Sequence, residues 1–212
     1  VSSTATEHIP YVTAWSEELA HPTPVIQLAY GSGIAYPNET PDDRDPHGVL
    51  WKRAHHARGQ GKPVFGTMHS TRQRHAMANL LCQICAAPAD QDDDGILWLL
   101  QDNRTDWPGW PNQAAVYEPP ICAPCAALPP RLCPALRNRA AVIRVRSAPI
   151  TGIRGGLFAP GPDRTPRALR PVHRPYPDSD LSWTLAYYLL RGLQGATIVE
   201  SPHRTTAPAA AR

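Results

Sequence analysis

The sequence predicts an α+β protein: a small zinc-centred module embedded in a mixed, loop-rich domain with short strands. Three observations lead there. Two Cys-x-x-Cys pairs, Cys82/Cys85 and Cys122/Cys125, have the residue type and local spacing of a four-thiolate site. Apolar residues follow helical spacing before the first pair and strand alternation after the second. The 25 prolines and 14 glycines among 212 residues favour turns and irregular connections over long helices.

A chain of this length can bury a real core, as one large domain or one domain with appendages. Its 42% apolar content is somewhat low, but tryptophan and leucine are spread through the middle and the 18% charged fraction is balanced, unlike a solvated low-complexity chain. The net charge is +3, from 21 basic and 18 acidic residues, and nearly all the basic residues are arginine. Arginine suits bidentate phosphate contacts, yet the same bias with abundant Ala and Pro marks a GC-rich coding genome, so charge alone is a weak pointer to nucleic acid. Residues 1–18, VSSTATEHIPYVTAWSEE, have polar residues and an acidic pair where a secretory segment is apolar. No run of about 18 apolar residues occurs, so the expected location is cytoplasmic, with no membrane partner.

Residues 1–66 read as a β-rich N-terminal segment. Tyr11 and Trp15 fall on a short helical stretch, AWSEEL, that ends at HPTP. PVIQLAY-GSG-IAY reads as a β-hairpin whose Gly31-Ser32-Gly33 supplies the positive φ of a tight turn. PNETPDDRDPH is a polar loop, and HGVLWKR and GKPVFG are short strands around a basic, Gly-containing bend. Residues 67–158 form the zinc-binding core with a following β-hairpin. The helix STRQRHAMANLLC opens on a capping box of Ser70 and Gln73. It buries Met77, Leu80 and Leu81 and leaves Arg72, Arg74 and His75 mostly outside. GILWLL is a strand, and RTDWPGWPNQ a loop whose tryptophans pack back on the domain.

Alternation of Ile143 and Val145 with Arg144 and Arg146 predicts a half-buried strand, with ITGIRG as its hairpin partner. Residues 159–177 read as a Pro/Arg-rich linker. Residues 178–199 read as a helix, LSWTLAYYLLRGLQG, capped by Asp178-Ser179-Asp180 and followed by the strand ATIVE; residues 200–212 read as a disordered tail. DDRDPHGVLWKR and DQDDDGILWLLQ share one pattern, an acidic turn, Gly, then an apolar stretch with Leu-Trp, which is one turn-and-strand solution used twice.

Two Cys-x-x-Cys knuckles outside a secretory context are the ligand arrangement of a four-sulfur tetrahedral zinc site. Cys82, Cys85, Cys122 and Cys125 are the predicted ligands of one structural Zn2+. The intervening residues 86–121 exceed the usual ~15–20 of compact ribbons. Loop closure tolerates that, because its cost grows slowly with length. The competing readings are two redox-active dithiols or a pair of disulfides, but a thioredoxin-like dithiol wants a preceding strand, whereas Cys82 ends a helical pattern. Cys133, in RLCPAL, reads as a buried small hydrophobe or a substitute ligand.

RQRHAMANLLCQIC followed by PPICAPCAAL resembles the outer frame of HNH-type endonucleases of the treble-clef kind: a basic helix, a first knuckle, a β-hairpin, and a second knuckle opening a helix. The likeness spans residues 70–137 and implies a treble-clef-like zinc module. The whole sequence also resembles actinobacterial proteins, a similarity that brings no known activity. In the HNH family the hairpin carries a histidine that activates water, and a second histidine near the last knuckle helps bind the catalytic metal. Here Leu97-Trp98 stand on the hairpin and Ala126 follows Cys125, so the resemblance implies the zinc fold and speaks against the nuclease.

Other residues offer alternatives. His69, His75 and the Asp90–Asp94 run would supply ligands to a metal-assisted hydrolase, or the two histidines are solvated helix-start residues. Asp90-x-Asp92-x-Asp94-Gly95 matches the first half of a calcium-binding EF-hand loop. However, Gln101 stands where the bidentate Glu belongs, and Pro88 precedes the run in place of an entering helix. Arg72, Arg74, Arg131, Arg137 and Arg139 together would make a basic face contacting phosphates without reading sequence. The leading expectation is a non-catalytic structural-zinc module whose partner is DNA or RNA. A protein-interaction scaffold is the first alternative and a metal-dependent HNH-like nuclease the second.

Overall fold

The computed structural model describes residues 9–20, 22–126, 128 and 139–200. In chain order the strands and α-helices are β1 (Thr13–Trp15), α1 (Ser16–Leu19), β2 (Ile26–Gln27), β3 (Ile34–Ala35), β4 (Leu50–Trp51), β5 (Pro63–Met68), α2 (Ser70–Asn79), β6 (Gln91–Asp92) and β7 (Gly95–Gln101). Then follow β8 (Ala115–Val116), α3 (Ala123–Ala126), β9 (Ala140–Ser147), β10 (Ile150–Ala159), β11 (Arg167–Pro175), β12 (Thr184–Gly192) and β13 (Gln194–Glu200). The class is α+β, as expected, and no helix among the described residues is long and apolar enough to cross a membrane.

The framework is a pair of long strands, each bent once. β9 runs into β10 through Ala148-Pro149, and β12 into β13 through Leu193. They pair antiparallel along their whole length: Ile143 lies opposite Ile198 and Ser147 opposite Gln194, then, past the bend, Ile150 opposite Arg191 and Leu157 opposite Thr184. Each half belongs to its own sheet, in the orders β13-β9-β7-β6 and β11-β10-β12-β4, with β8 also on β12. Trp98, Ile143, Val145, Trp110 and Leu193 fill one core, and Val49, Trp51, Met77, Ile153, Ala186 and Leu189 a second.

Helix α2 closes a gap in the second sheet. On the outer edge of β12, β4 pairs at Leu185 and Ala186, and β8 at Arg191 and Gly192. Between them the fully buried Gln73 uses its side-chain amide as a strand would. Its Nε2 donates to Leu189 O (3.0 Å) and Tyr117 O (2.7 Å), and its Oε1 accepts from Leu189 N (2.9 Å). At the other end of α2, the buried Arg191 guanidinium donates to the last-turn carbonyls of Met77 (2.7 Å) and Ala78 (3.2 Å), which have no acceptor role inside the helix.

Several expectations change. The helix predicted over LSWTLAYYLLRGLQG is a 3-10 turn, Ser179–Trp183, leading into β12. Thr184, Tyr187 and Tyr188 favour strands, and a continuous apolar run in a central strand has no period to separate it from a buried helix. The linker predicted over 159–177 contains β11, whose Pro171 and Pro175 are tolerated because an edge strand donates on one side only. β9 and β10 do not form a hairpin together, since each pairs with half of the β12–β13 strand. The strands are also longer than expected, up to ten residues in β10. At the N-terminus only Ser16–Leu19 of AWSEEL is helical, because Thr13–Trp15 pairs with β5. The N-cap of α2 is His69, not Ser70. The hairpin at 25–36 forms as read, with Ile26 opposite Ala35 and Gln27 opposite Ile34. Residues 201–212 lie outside the described residues.

Candidate metal centre

The first cysteine pair sits on a tight hairpin. α2 ends where Leu80 turns left-handed (φ 53°). The chain then doubles back, with Leu81 bridged to Pro88 and Ala89 N donating to Leu80 O (2.9 Å). At its tip Cys82 N donates to Ala87 O (2.7 Å), Ala86 N to Cys82 O (2.9 Å) and Ile84 N to the Cys82 sulfur (3.4 Å). An N–H aimed at sulfur favours the thiolate form, which is the form a metal takes.

The second pair is brought to the first by backbone ties. Gln83 N donates to Pro120 O (2.9 Å), Asp90 N to Ile121 O (3.1 Å) and Ile121 N to Leu97 O (3.0 Å). Cys122 then enters the single turn α3, where Ala126 N donates to Cys122 O (2.9 Å). The N-terminal segment joins on the other side, through Tyr11 N to Ile84 O (2.8 Å) and Val12 N to Gln83 O (3.2 Å). Leu97, Leu99, Ile121 and Ala140 form the apolar floor beneath.

These ties place the four sulfurs of Cys82, Cys85, Cys122 and Cys125 within 4.8 Å of one another, with Cys85 and Cys122 at 3.6 Å. Four thiolates at ~2.3 Å from one tetrahedral zinc are about 3.8 Å apart. The donor set therefore fits one metal ion in size and in chemistry. Cys82 is fully buried, Cys122 and Cys125 are half-buried, and Cys85 is exposed. Burial, then hydrogen bonding to neighbouring sulfurs, pushes the Cys125 thiol well up, and burial also raises Cys82. For Cys85 burial acts upward too, but the Ala87 N–H and the other thiols outweigh it and bring the group down. Crowded thiolates repel one another, and a bound dication offsets that repulsion.

Of the predicted basic face, Arg72 is turned inward. Arg72 is buried, and its guanidinium clasps the Glu18 carboxylate (Nη1–Oε1 2.6 Å, Nη2–Oε2 2.7 Å) while donating to Tyr11 O (2.7 Å) and Thr13 O (2.8 Å). Those partners take four of its five N–H groups, and its burial holds the guanidinium away from a phosphate at the surface. Arg74 is half-buried, 4.7 Å above the Trp51 ring, in a cleft of about 120 Å³ also lined by Lys52, Arg53, Ser70 and Asp43. Arg139 is exposed, just before β9. Arg131, Arg137 and Cys133 lie outside the described residues.

The alternative metal ligands have other partners. His69 is buried, not solvated: its Nδ1 accepts from Arg72 N (3.3 Å) and its Nε2 lies 3.0 Å from His55 O. Burial first of all holds its imidazole below the usual range. His75 is exposed on α2. The acidic run is the turn of the β6–β7 hairpin, and Arg144 bridges its Asp90 and Asp92 carboxylates (2.9 Å to Asp92) while donating to Gly95 O (3.1 Å). Gly95 (φ +117°) is required there, because a Cβ would stand 2.2 Å from Val145 O. Leu97 and Trp98 are buried, and the Trp98 Nε1 donates to Glu118 O (2.9 Å). Among the described residues, the four cysteines are the only cluster of three or more Cys, His, Asp or Glu side chains suited to a metal ion.

Sequence reasoning missed Glu18, Arg144 and Gln73. Each acts through a partner distant in sequence, and Gln73 had an equally good local explanation as a capping residue. Comparison with known proteins returned no matching family model, curated protein or solved structure.

Proposed function

We propose that this chain is a non-catalytic structural-zinc binding module that contacts nucleic acid. The observation that carries the structural half is the convergence of four sulfurs on one point. A four-thiolate shell leaves no position for water or substrate, which is the pattern of structural rather than catalytic zinc. The zinc would lock three pieces together: the N-terminal segment at Tyr11–Val12, the hairpin after α2, and the approach to α3. A treble-clef-like reading, and with it the HNH-like resemblance, draws support from the order of parts: helix α2, knuckle, the β6–β7 hairpin, then a second pair opening α3. The nuclease alternative draws little, since Leu97 and Trp98 are core residues on that hairpin.

The nucleic-acid half rests on excess positive charge and on exposed Arg139, Lys62 and Arg58, the last 5.8 Å over the ring of Tyr11, which bonds to the first knuckle. A protein partner is the second reading, favoured by Phe65 (57% exposed) on a three-residue bulge of β5 and by the fully exposed Tyr30. Metal analysis of the purified chain should find about one zinc, with four thiols reactive only after chelation. Folded, metal-free protein would overturn the structural-zinc half. Binding to DNA or RNA should weaken steeply with salt, and no binding at low salt would overturn the partner assignment.

A further inference from the structure

Away from the cysteines, one sheet carries an unbroken strip of aromatic rings with a cation near each end. His173, Arg154 and Tyr188 stand in one rank across β11, β10 and β12, as directly opposed residues of the two strand pairings. The Tyr117 ring contacts all three: the Arg154 guanidinium lies 4.4 Å from its centre, the Tyr188 ring is stacked at 5.7 Å, and the His173 ring meets it edge-on at 6.3 Å. Beyond Tyr188 comes Tyr187 at 6.5 Å, and the Lys52 ammonium lies 5.7 Å over the Tyr187 ring.

Consecutive residues of a strand normally point to opposite faces, so Tyr187 and Tyr188 should not lie side by side. A β-bulge brings them together. Arg154 opposes Tyr188 while the next residue, Gly155, opposes Ala186, which leaves Tyr187 as the extra residue and re-aims its ring. Gly156 makes the space, because a Cβ there would stand 2.4 Å from the Tyr187 hydroxyl. The Tyr188 hydroxyl, bonded to Met68 N (3.3 Å) and Met68 O (3.1 Å), fixes the middle ring.

The strip is accessible and its cations are free of close carboxylate partners among the described residues. His173 is exposed and Lys52, Arg154, Tyr117, Tyr187 and Tyr188 are half-buried. Among the described residues, none of Lys52, Arg154 and His173 takes part in an ion pair. The Glu118 carboxyl acts on Arg154 from a distance, and burial pushes it up from its ordinary value. Tyr187 also packs against the Ile34, Tyr36, Leu50 and Leu185 cluster, but ion pairing among the described residues does not account for the two cations placed over the phenol rings.

We propose that this strip binds a single-stranded stretch of DNA or RNA, its bases against the tyrosine rings and its phosphates against Lys52 and Arg154. Aromatic rings accept any base by its face, and cations track the backbone, so recognition is tolerant of sequence and prefers unpaired strands. This assignment rests on the nucleic-acid reading above and, of the residues the sequence suggested, adjoins Arg74, whose cleft Lys52 also lines.

Fluorescence anisotropy with the zinc-loaded full chain tests it, using labelled oligothymidylate and oligouridylate and a duplex of equal length. The wild-type chain should bind the single strands more tightly than the duplex. Lys52→Gln with Arg154→Gln should weaken single-strand binding about tenfold and flatten its logarithmic salt dependence by about 1.4, from ~0.7 per phosphate contact. Tyr117→Leu should weaken it at least about fivefold. Zinc content and melting temperature confirm that each variant is folded, and Lys52→Gln alone, a surface change, should show half of the salt effect. If the wild-type chain binds but the double variant binds equally well, or if duplex is preferred, the strip assignment is overturned while the nucleic-acid reading stands. If the wild-type chain binds none of the three probes, both fall.

Discussion

The N-terminal segment is held to the rest of the chain by two polar clusters that handle charge in opposite ways. At the cysteines, Tyr11 and Val12 bond to the first knuckle, and all four donor groups are potential anions. A few residues on, Glu18 is enclosed with Arg72 and His69 and accepts from Trp15 N (2.9 Å) and Ala57 N (3.3 Å). That cluster contains its own cation. The first is completed only by something from outside the chain, the second only by folding. One should therefore answer to metal and the other to mutation and acid.

Removing the metal is the sharpest way to break the comparison. Structural zinc sites contribute on the order of 10 kcal/mol or more to folding, so a strong chelator should unfold the knuckles and lower the melting temperature more than any single substitution in the second cluster. Cys82→Ser should act like chelation, since Cys82 is also buried against Leu97 and Ile121. Calorimetry with and without chelator checks this, and a transition indifferent to chelation would mean that the cysteines do not share an ion.

The second cluster should respond to loss of one partner. Arg72→Leu strands the Glu18 carboxylate in the interior and should cost about 3–5 kcal/mol. Adding Glu18→Gln should recover part of that, because the uncompensated charge is then gone. Denaturant titrations of the two variants measure it. A single-variant cost under about 1 kcal/mol would place Arg72 at the surface, where the sequence suggested it.

That misplacement marks the limit of local reading. The cysteines were legible because each pair is a local motif, and the fold brings the two pairs together. GILWLL and ATIVE were legible because short strand runs flanked by turn residues have few alternatives. Arg72 was not, since nothing within α2 reveals that Glu18, 54 positions away, lies against it. TLAYYLL misled for a different reason: burial in a central strand erases alternation, and the Thr and Tyr content was the remaining strand signal. The two acidic-turn echoes do both open strands, but with different partners. Asp45 holds Trp51 Nε1 (3.1 Å) and the Tyr176 hydroxyl (2.6 Å), whereas Asp90 and Asp92 hold Arg144.

Acid sharpens the comparison at smaller magnitude. His69 is held below its ordinary value of 6.5, so the unfolded chain binds its proton first. Its stability contribution is complete above about pH 6.5 and is lost as pH falls toward the folded value. Glu18 is also lowered from 4.5, burial being outweighed by the Arg72 and Trp15 hydrogen bonds, and adds a second loss below about pH 4.5. His69→Asn keeps a capping side chain, so stability at pH 7.5 should drop by only about 1 kcal/mol. The loss that begins near pH 6.5 should shrink in this variant, which urea titrations at stepped pH would show; an unchanged acid profile would assign that loss to the cysteines.

The smallest effect belongs to the acidic turn. Arg144 is mostly covered while Asp92 is half exposed, so solvent screens much of their attraction. Asp92→Asn should therefore change stability by no more than about 1 kcal/mol, because Asp90 still pairs with the guanidinium. The same substitution also tests the calcium alternative. A loop that wraps calcium would gain stability on adding the ion and lose that gain with Asp92, whereas a turn neutralised by Arg144 gives melting temperatures that millimolar calcium leaves unmoved in both proteins. Arg144 already supplies the positive charge that calcium would bring, and it supplies it from β9, where the strand pairing holds it in place whether or not an ion is offered.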